Sequence, residues 1–309
     1  MNRSHRTGLW QASALAIIVT LLAVLLSGLT FARSNVIELC AASILIVFAL
    51  HLTPASFGSF SRTVVAAESV AFFSMIALVG AVASYLAILH SGPLMDETLA
   101  TADSALGFDW ITIRSLVERR PAILSLLRAG YDIWSLMPFV TIATLCAIGA
   151  TERCYRFVKV MGISILITTA VAFFFPAEAA FAYYNHSEVP GYVPVIRGLR
   201  DGSITVLDLR ELTGVITFPS FHAVGAVVFA WALWPVRTAR LPNILVNSVG
   251  WFAAVPIGGH YVVDVIGGSV IALLAVWMSS VTHASARTGP MLWQRVRSID
   301  WRASAHHGT

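Results

Sequence analysis

The sequence FPSFHAVGAVVFAWALWPV, residues 218–236, and the sequence GHYVVDVIGGSVIALLAVWMSSVT, residues 259–282, decide the fold class. Each is an apolar stretch about as long as a membrane-spanning helix. Each also carries ionisable side chains where the apolar run begins, His222 in the first and His260 with Asp264 in the second. Ionisable side chains inside or at the edge of membrane helices are costly, so we expect these three residues to be functional.

The whole chain is strongly apolar. Its 309 residues are 57% hydrophobic and 12% charged, with a mean hydropathy of +0.78, whereas soluble domains carry about 25% charged residues. No polar stretch is long enough for a separate soluble domain, so we predict an all-α polytopic helical bundle that forms one integral-membrane domain over residues 1–309. The net charge of +4 lies mostly in short segments between apolar runs, which indicates membrane topology rather than nucleic-acid binding.

Apolar stretches of a length suited to crossing a bilayer recur along the chain. They cover residues 9–31, 36–53, 64–89, 131–150, 157–182, 219–236, 241–257 and 260–282. Two of them, 219–236 and 241–257, are short, so the prediction is of about six to eight spans with the functional residues at the outer ends of helices. The first stretch is longer than the core of a signal peptide, and we interpret it as a retained span.

The arginines and lysines predict the orientation of the bundle. If the N-terminus is cytoplasmic, the short inner connections are clearly basic, as in the segment of Arg153, Arg156 and Lys159. Eight spans then place both termini inside the cell, and they place His222 and His260 at the outer face. Because the chain lacks organelle-targeting features, we expect a bacterial inner membrane, with these histidines facing the periplasm or the exterior.

The segment around Ser220 and His222 has the features of an anion site. Pro219 suits the first position of a helix, where its missing N–H would have no partner in any case. Ser220 and His222 then lie in the first turn, beside free N–H groups and the positive end of the helix dipole. Ser220 adds a hydroxyl donor and His222 an acid or base, so a phosphate can be bound there without a metal.

His260 and Asp264 supply the complementary half of a phosphoryl-transfer site. Their spacing of four residues predicts that they lie on one face of a helix. A carboxylate bonded to one ring nitrogen turns the other nitrogen outward and raises its basicity, as a nucleophilic histidine requires. Attack on phosphorus would give a phosphohistidine, and His222 would protonate the leaving alkoxide and then deprotonate water or an alcohol.

Arg197 and Arg200 precede the sixth apolar stretch and are candidates for binding phosphate oxygens. The alternative for both is pairing with the acidic residues of their own loop.

The cysteines show no metal-ligand spacing, so we predict no disulfide, no metal site and no cofactor. They are Cys40, Cys146 and Cys154.

Both histidine segments resemble motifs of the type-2 phosphatidic acid phosphatase superfamily. Pro219-Ser220-Phe221-His222 is similar to its Pro-Ser-x-His motif, and His260-Tyr261-Val262-Val263-Asp264 is similar to its motif that ends in His-x-x-x-Asp. The resemblance covers roughly residues 195–275. It implies that His260 is the nucleophile, Asp264 its orienting partner, His222 the general acid and base, and Ser220 a phosphate-binding residue.

The chain departs from this family pattern at two motifs, and these departures favour one branch of the family. The family's third motif usually opens with Ser-Arg, where this chain has Ala253 and Ala254. Its first motif, Lys followed by Arg-Pro, has no clean counterpart, and Arg197 or Arg200 is the best substitute. In these respects the chain looks more like the inositol phosphorylceramide synthase branch, whose inositolphosphotransferases move a phosphorylated headgroup between lipids.

We therefore expect a membrane-embedded, metal-independent phosphatase or phosphotransferase that acts on a lipid phosphate or a phospholipid headgroup. Hydrolysis and transfer use the same residues, so the sequence leaves that choice open, as it does the headgroup, the lipid tail and the oligomeric state. One rival hypothesis is a proton-coupled transporter, against which the lack of inverted repeats argues. The other is a catalytically inactive lipid-binding relative, which the missing arginine leaves open.

Overall fold

The computed structural model describes residues 3–35 and 62–297, and it describes the side chains of residues 8–35 and 62–281. The helices in this part of the chain are Arg3–Ser27 (α1), Arg62–Leu89 (α2), Asp96–Ala105 (α3), Trp110–Glu118 (α4), Pro121–Asp132 (α5), Met137–Ala147 (α6), Thr151–Phe174 (α7), Ala180–Tyr183 (α8), Tyr192–Arg200 (α9), Phe221–Leu233 (α10), Arg237–Ala253 (α11) and Val262–Arg297 (α12). Short 3-10 turns follow at Arg33–Asn35 and Ile133–Ser135, and a two-residue parallel pairing joins Thr30–Phe31 (β1) to Val206–Leu207 (β2). The all-α prediction is confirmed.

Four helices of the described residues are long and apolar enough to cross a membrane. They are Gly8–Ser27 within α1, Arg62–Leu89, Thr151–Phe174 and Val262–Val281 within α12. A fifth span is possible if α5 and α6 act together, although the pair bends by 60° at its break. The predicted span at 36–53, and Cys40 within it, lie outside the described residues.

Two of the predicted spans are shorter than a membrane requires. Residues 219–236 form the 13-residue helix α10, and residues 241–257 fall largely in the 17-residue helix α11. At 1.5 Å per residue, α10 is about 20 Å long, less than the ~30 Å of a hydrocarbon core. Helix α10 is largely buried in the bundle, whereas α11 exposes Leu241, Leu245 and Phe252, and neither helix qualifies as a span by length and hydropathy.

The main core lies where α2, α7, α10 and α12 pack together. Its aromatic centre is formed by Phe72, Phe157 and Phe229, all fully buried. A second cluster surrounds the start of α12 and includes Trp110, Phe181 and Tyr261. This second cluster belongs to α4, α8 and the segment before α12, so the outer helices are fixed to the end of the bundle where the two histidine segments lie.

Gly268 allows the N-terminal ends of α10 and α12 to approach each other closely, whereas the neighbouring Gly267 does not limit their approach. A Cβ atom at Gly268 would overlap the backbone carbonyl oxygen of Ser220. A Cβ atom at Gly267 would meet Pro219 at 3.5 Å, an ordinary van der Waals distance. The contact at Gly268 is thus made to backbone, which has little freedom to move aside, and small residues at helix interfaces permit this kind of approach.

We expect Gly268→Ala to lower the free energy of unfolding by about 1–3 kcal/mol, because the new methyl group must push α10 and α12 apart. The matched substitution Gly267→Ala should be neutral or slightly stabilising, since alanine favours the helix and meets no obstruction. Thermal unfolding of the purified variants in one detergent measures both. Equal midpoints for the two variants would show that the close approach at Gly268 is unimportant.

Candidate active site

The two histidine segments meet at the N-terminal ends of α10 and α12. The backbone N–H of Ser220 donates to the carbonyl oxygen of Asp264 at 3.0 Å, which joins the segments directly. Ser220 is the N-cap of α10, and its side-chain oxygen accepts from the N–H of Ala223. Pro219 therefore precedes the cap rather than occupying the first helical position, which corrects the sequence prediction.

His260 lies two residues before α12, in a turn made possible by Gly259. Gly259 has a φ of 72°, a left-handed conformation that favours glycine. The N–H of His260 donates to the carbonyl of Ala254 at 3.1 Å. His260 and Asp264 consequently do not share a helix face as predicted, yet the turn brings Nδ1 of His260 to 3.4 Å from Oδ2 of Asp264.

A backbone carbonyl holds the His260 ring more closely than Asp264 does. Nδ1 of His260 lies 2.7 Å from the carbonyl oxygen of Thr217, well within hydrogen-bond distance. Because a carbonyl oxygen only accepts, the proton must be on Nδ1. In the neutral ring Nε2 then carries a free lone pair, which is the state that a nucleophilic histidine needs.

Asp264 is fully buried at this junction and lies beside the His260 ring. Its Oδ2 accepts from the backbone N–H of Tyr261 at 2.9 Å, while its Oδ1 is buried without a hydrogen-bond partner. A buried carboxylate that is only partly satisfied is costly, and it favours positive charge nearby. Asp264 is thus placed to stabilise the positive charge that develops on His260 when Nε2 forms a bond.

His222 faces His260 and packs between aromatic side chains. The two imidazole centroids are 6.2 Å apart. The His222 ring stacks on Tyr131 with centroids 4.1 Å apart, and its Nδ1 lies 3.4 Å from the Tyr131 hydroxyl. Trp134 lies 4.7 Å from the His222 ring and donates to the His222 carbonyl at 3.2 Å. Tyr131 and Trp134 reach this position because the chain bends between α5 and α6.

The space between the histidines is bordered by the start of α10. The first N–H groups of a helix have no intrahelical partner, and here they belong to Phe221 and His222. The Ser220 hydroxyl accepts from Ala223 but keeps its own proton to donate. The predicted anion site therefore has its donors in the expected places, although Ser220 itself is buried.

Asp103 of α3 caps the helix that follows His260. Its two carboxylate oxygens accept from the backbone N–H groups of Val262 at 2.8 Å and Val263 at 2.9 Å. Burial raises the pKa of Asp103, and these two hydrogen bonds oppose that rise. A carboxylate at the positive end of a helix is favourable, so Asp103 fixes the start of α12 and thereby the position of Asp264.

Asp96 lies two turns before Asp103 on the same helix and holds the other side of the site. It accepts from the Tyr261 hydroxyl at 3.0 Å and from the backbone N–H groups of Glu178 and Ala179. The segment after α7 is thereby fastened to α3. This segment also contacts the site directly, because the Thr217 hydroxyl donates to the Ala177 carbonyl at 2.6 Å.

Arg197 and Arg200 lie on α9 with different partners. Arg197 binds the carboxylate of Glu178 through two nitrogens, at 2.5 and 2.8 Å, and this interaction raises the pKa of Arg197. Arg200 donates to two neutral groups, the Ser91 hydroxyl and the Gly92 carbonyl, each at 2.9 Å. Neither arginine pairs with the acidic residues of its own loop in these contacts, and the charge of Arg197 is balanced by Glu178 whereas these partners of Arg200 are neutral.

Several residues of the site were not identified from the sequence. Thr217 acts through its backbone, which leaves no signal in its side-chain type. Tyr131 and Trp134 lie about ninety residues before His222 and have no motif of their own. Asp96 and Asp103 lie seven residues apart, a spacing that places them on one helix face. Nothing in the local sequence indicates that this face meets α12.

A comparison with protein families gives one match for this chain. The model of the family described as the PAP2 superfamily matches residues 97–278, more than half of the chain. The matched range begins in α3, includes both histidine segments and ends within α12. No curated protein and no solved structure is similar enough to the chain to count as a match.

We expect ¹⁵N NMR of the histidine-labelled protein to find neutral His260 with its proton on Nδ1. The Thr217 carbonyl imposes this tautomer, so Asp264→Asn should retain it. His260→Gln assigns the signal. A proton on Nε2 in the neutral ring would contradict the geometry described for Thr217.

Proposed function

The chain belongs to the PAP2 superfamily, and from this premise we propose that it is a membrane-embedded enzyme that acts on a lipid phosphate or a phospholipid headgroup. Membership supports a phosphatase or phosphotransferase type of function in general. The observation that carries the proposal further is the 2.7 Å contact between Nδ1 of His260 and the Thr217 carbonyl. It leaves Nε2 available as a nucleophile, with His222 opposite.

The first step forms a bond between Nε2 of His260 and phosphorus. The substrate phosphate binds between the two histidines, with its oxygens at the first N–H groups of α10 and at the Ser220 hydroxyl. The Nε2 lone pair attacks phosphorus, and the bond from phosphorus to the leaving oxygen breaks. His222, in its protonated form, gives its proton to that oxygen, and Asp264 stabilises the positive charge on the His260 ring.

The second step returns both histidines to their starting state. His222, now neutral, removes the proton of a water molecule or an alcohol as that oxygen attacks phosphorus. The bond between nitrogen and phosphorus breaks, and its electron pair returns to Nε2. Water gives inorganic phosphate or a phosphomonoester, whereas an alcohol gives a new phosphate ester, so the acceptor alone decides between hydrolysis and transfer. No step calls for a metal ion.

The charges around the site support transfer of a phosphorylated headgroup. A phosphomonoester carries about −1.5 to −2 charges at neutral pH, whereas a phosphodiester carries one. The motif positions that hold Ser-Arg in much of the family are Ala253 and Ala254, and Arg197 is neutralised by Glu178. A site with few free cations suits a phosphodiester, which is consistent with the inositol phosphorylceramide synthase-like branch and its phospholipid donor.

The apolar helices and the family indicate an integral membrane protein. We further propose one membrane domain over residues 1–309, with both termini in the cytoplasm of a bacterium and the site at the outer face of the inner membrane. The distribution of basic residues supports this orientation. A substrate would then reach the histidines laterally from the outer leaflet, without leaving the bilayer.

His260→Ala should lower turnover about a thousandfold or more, because it removes the atom that bonds to phosphorus. The assay offers the purified protein a panel of lipid phosphates and phospholipids with EDTA present, and the expected wild-type rate is the same with and without EDTA. Rapid quenching should trap a phosphorylated wild-type protein and no phosphorylated His260→Ala variant. Normal turnover by that variant would eliminate the phosphohistidine mechanism.

The same assay with added alcohol acceptors separates the two reactions. Release of phosphate that requires His260 identifies a hydrolase, and a lipid with an exchanged headgroup identifies a transferase. Lipid binding without any product would instead favour the inactive relative, and proton flux in liposomes without a product would favour the transporter.

Arg200→Ala should lower turnover about tenfold, and Arg197→Ala should have a smaller effect. The reason is that the contacts of Arg200 are to neutral groups, whereas the charge of Arg197 is already paired with Glu178. The two arginines lie three residues apart on one helix, about one turn, so each variant controls for the other. Near-wild-type rates for both would remove α9 from substrate binding.

A further inference from the structure

A second cluster of charged side chains lies between α4, α5 and the loop that precedes α9. Glu188 of this loop binds two arginines from different helices, Arg114 of α4 and Arg128 of α5. The distance from Nη2 of Arg128 to Oε1 of Glu188 is 3.1 Å. One carboxylate thus bridges two guanidinium groups through its two oxygen atoms. An anionic ligand with two oxygen atoms can bind the same two groups in the same way.

Arg114 is held in place without Glu188. Its Nε donates to Glu118 at 2.7 Å, its Nη1 donates to the Pro256 carbonyl at 2.5 Å, and its guanidinium lies 5.0 Å from the centre of the Phe181 ring. Glu118 already balances its charge. Removal of Glu188 would therefore leave a buried, oriented arginine with one nitrogen, Nη2, open to another acceptor.

The side of the cluster formed by Arg128 and Glu188 is exposed at the surface of the protein. The side chain of Arg114 is 3% exposed, whereas those of Arg128 and Glu188 are 49% and 55% exposed. The ion pair of Glu188 with Arg128 joins two exposed side chains, and such pairs contribute little to stability. The pair with Arg114 involves a buried guanidinium, so an anion that takes the place of Glu188 must also bind Arg114, and the exposed side gives that anion a path of entry.

This cluster does not include the histidine pair. The Arg114 guanidinium lies 5.0 Å from the centre of the Phe181 ring, and Phe181 packs against Gly259, the residue before His260. In the described contacts Arg114 and Arg128 bind Glu118, Glu188 and the Pro256 carbonyl, and neither binds His222 or His260.

The surroundings of the two arginines fit a phospholipid. A phosphodiester has one negative charge and two non-bridging oxygens, so it can replace the Glu188 carboxylate without changing the local charge. The helices that carry the arginines also have exposed apolar side chains, Ile111 and Leu116 on α4 and Ile123 and Leu126 on α5. We propose that Arg114 and Arg128 form a second site, for the phosphodiester headgroup of a membrane phospholipid, which Glu188 occupies when no lipid is bound.

Glu188→Gln tests the proposal because it weakens the competing contact and keeps the side-chain shape. Purified full-length protein is titrated with a soluble short-chain phosphatidylglycerol and, in a second arm, with inorganic phosphate. We expect Glu188→Gln to bind the lipid about three- to tenfold more tightly than the wild type. Arg128→Ala in the same chain should abolish that gain, and Glu97→Gln, an exposed glutamate of α3, should leave the affinity unchanged.

Binding is measured without turnover, so the result stands whether or not the proposed chemistry is correct. Unchanged lipid affinity in folded Glu188→Gln, or a gain that survives Arg128→Ala, would overturn the site. An equal gain for inorganic phosphate would overturn its assignment to a lipid. If Glu188→Gln does not fold, Arg128→Ala alone decides: a several-fold loss of lipid affinity supports the site, and an unchanged affinity refutes it.

Discussion

The hydrogen bond between the Ser220 N–H and the Asp264 carbonyl is the contact on which the rest of the site depends. Helix ends leave backbone groups without partners, and near a membrane there is little water to satisfy them. Here the start of α10 is tied to the first turn of α12, and Gly268 allows the two backbones to approach. The same approach brings the Thr217 carbonyl to the ring of His260, so helix packing and the orientation of the histidine have one cause.

Buried carboxylates fix the backbone around the histidines, and the hydrogen bonds that they accept offset the negative charge that would otherwise repel an anion. Asp96 and Asp103 are buried, and the hydrogen bonds they accept come from backbone N–H groups and the Tyr261 hydroxyl. Their charge is thus directed at helix starts and turns, which carry partial positive charge. Asp264 is the exception, because one of its oxygens has no partner. Its charge is available to the His260 ring, on which the proposed mechanism places positive charge.

The sequence predicted that His222, His260 and Asp264 lie together, but not which contacts hold them in place. The apolar composition and the histidines at the starts of apolar runs suffice for an all-α membrane bundle and for pairing His222 with His260. Spacing alone failed for His260 and Asp264, because α12 begins only at Val262 and His260 lies in the turn before it. The contacts of Thr217, Tyr131 and Asp103 depend on tertiary packing over long sequence separations, which no local pattern records.

The alanines at positions 253 and 254 are a consequence of the same packing. Both are fully buried where α11 ends, and Ala254 lies in the cluster formed by Trp110, Phe181 and Tyr261. The Ala254 carbonyl accepts from the His260 N–H, so this residue positions His260 through its backbone. An arginine side chain at 254 would have to displace that cluster or bury its charge, which is costly without a partner. We therefore keep Arg200 of α9 as the proposed phosphate-binding arginine, since Arg114 and Arg128 belong to the cluster around Glu188.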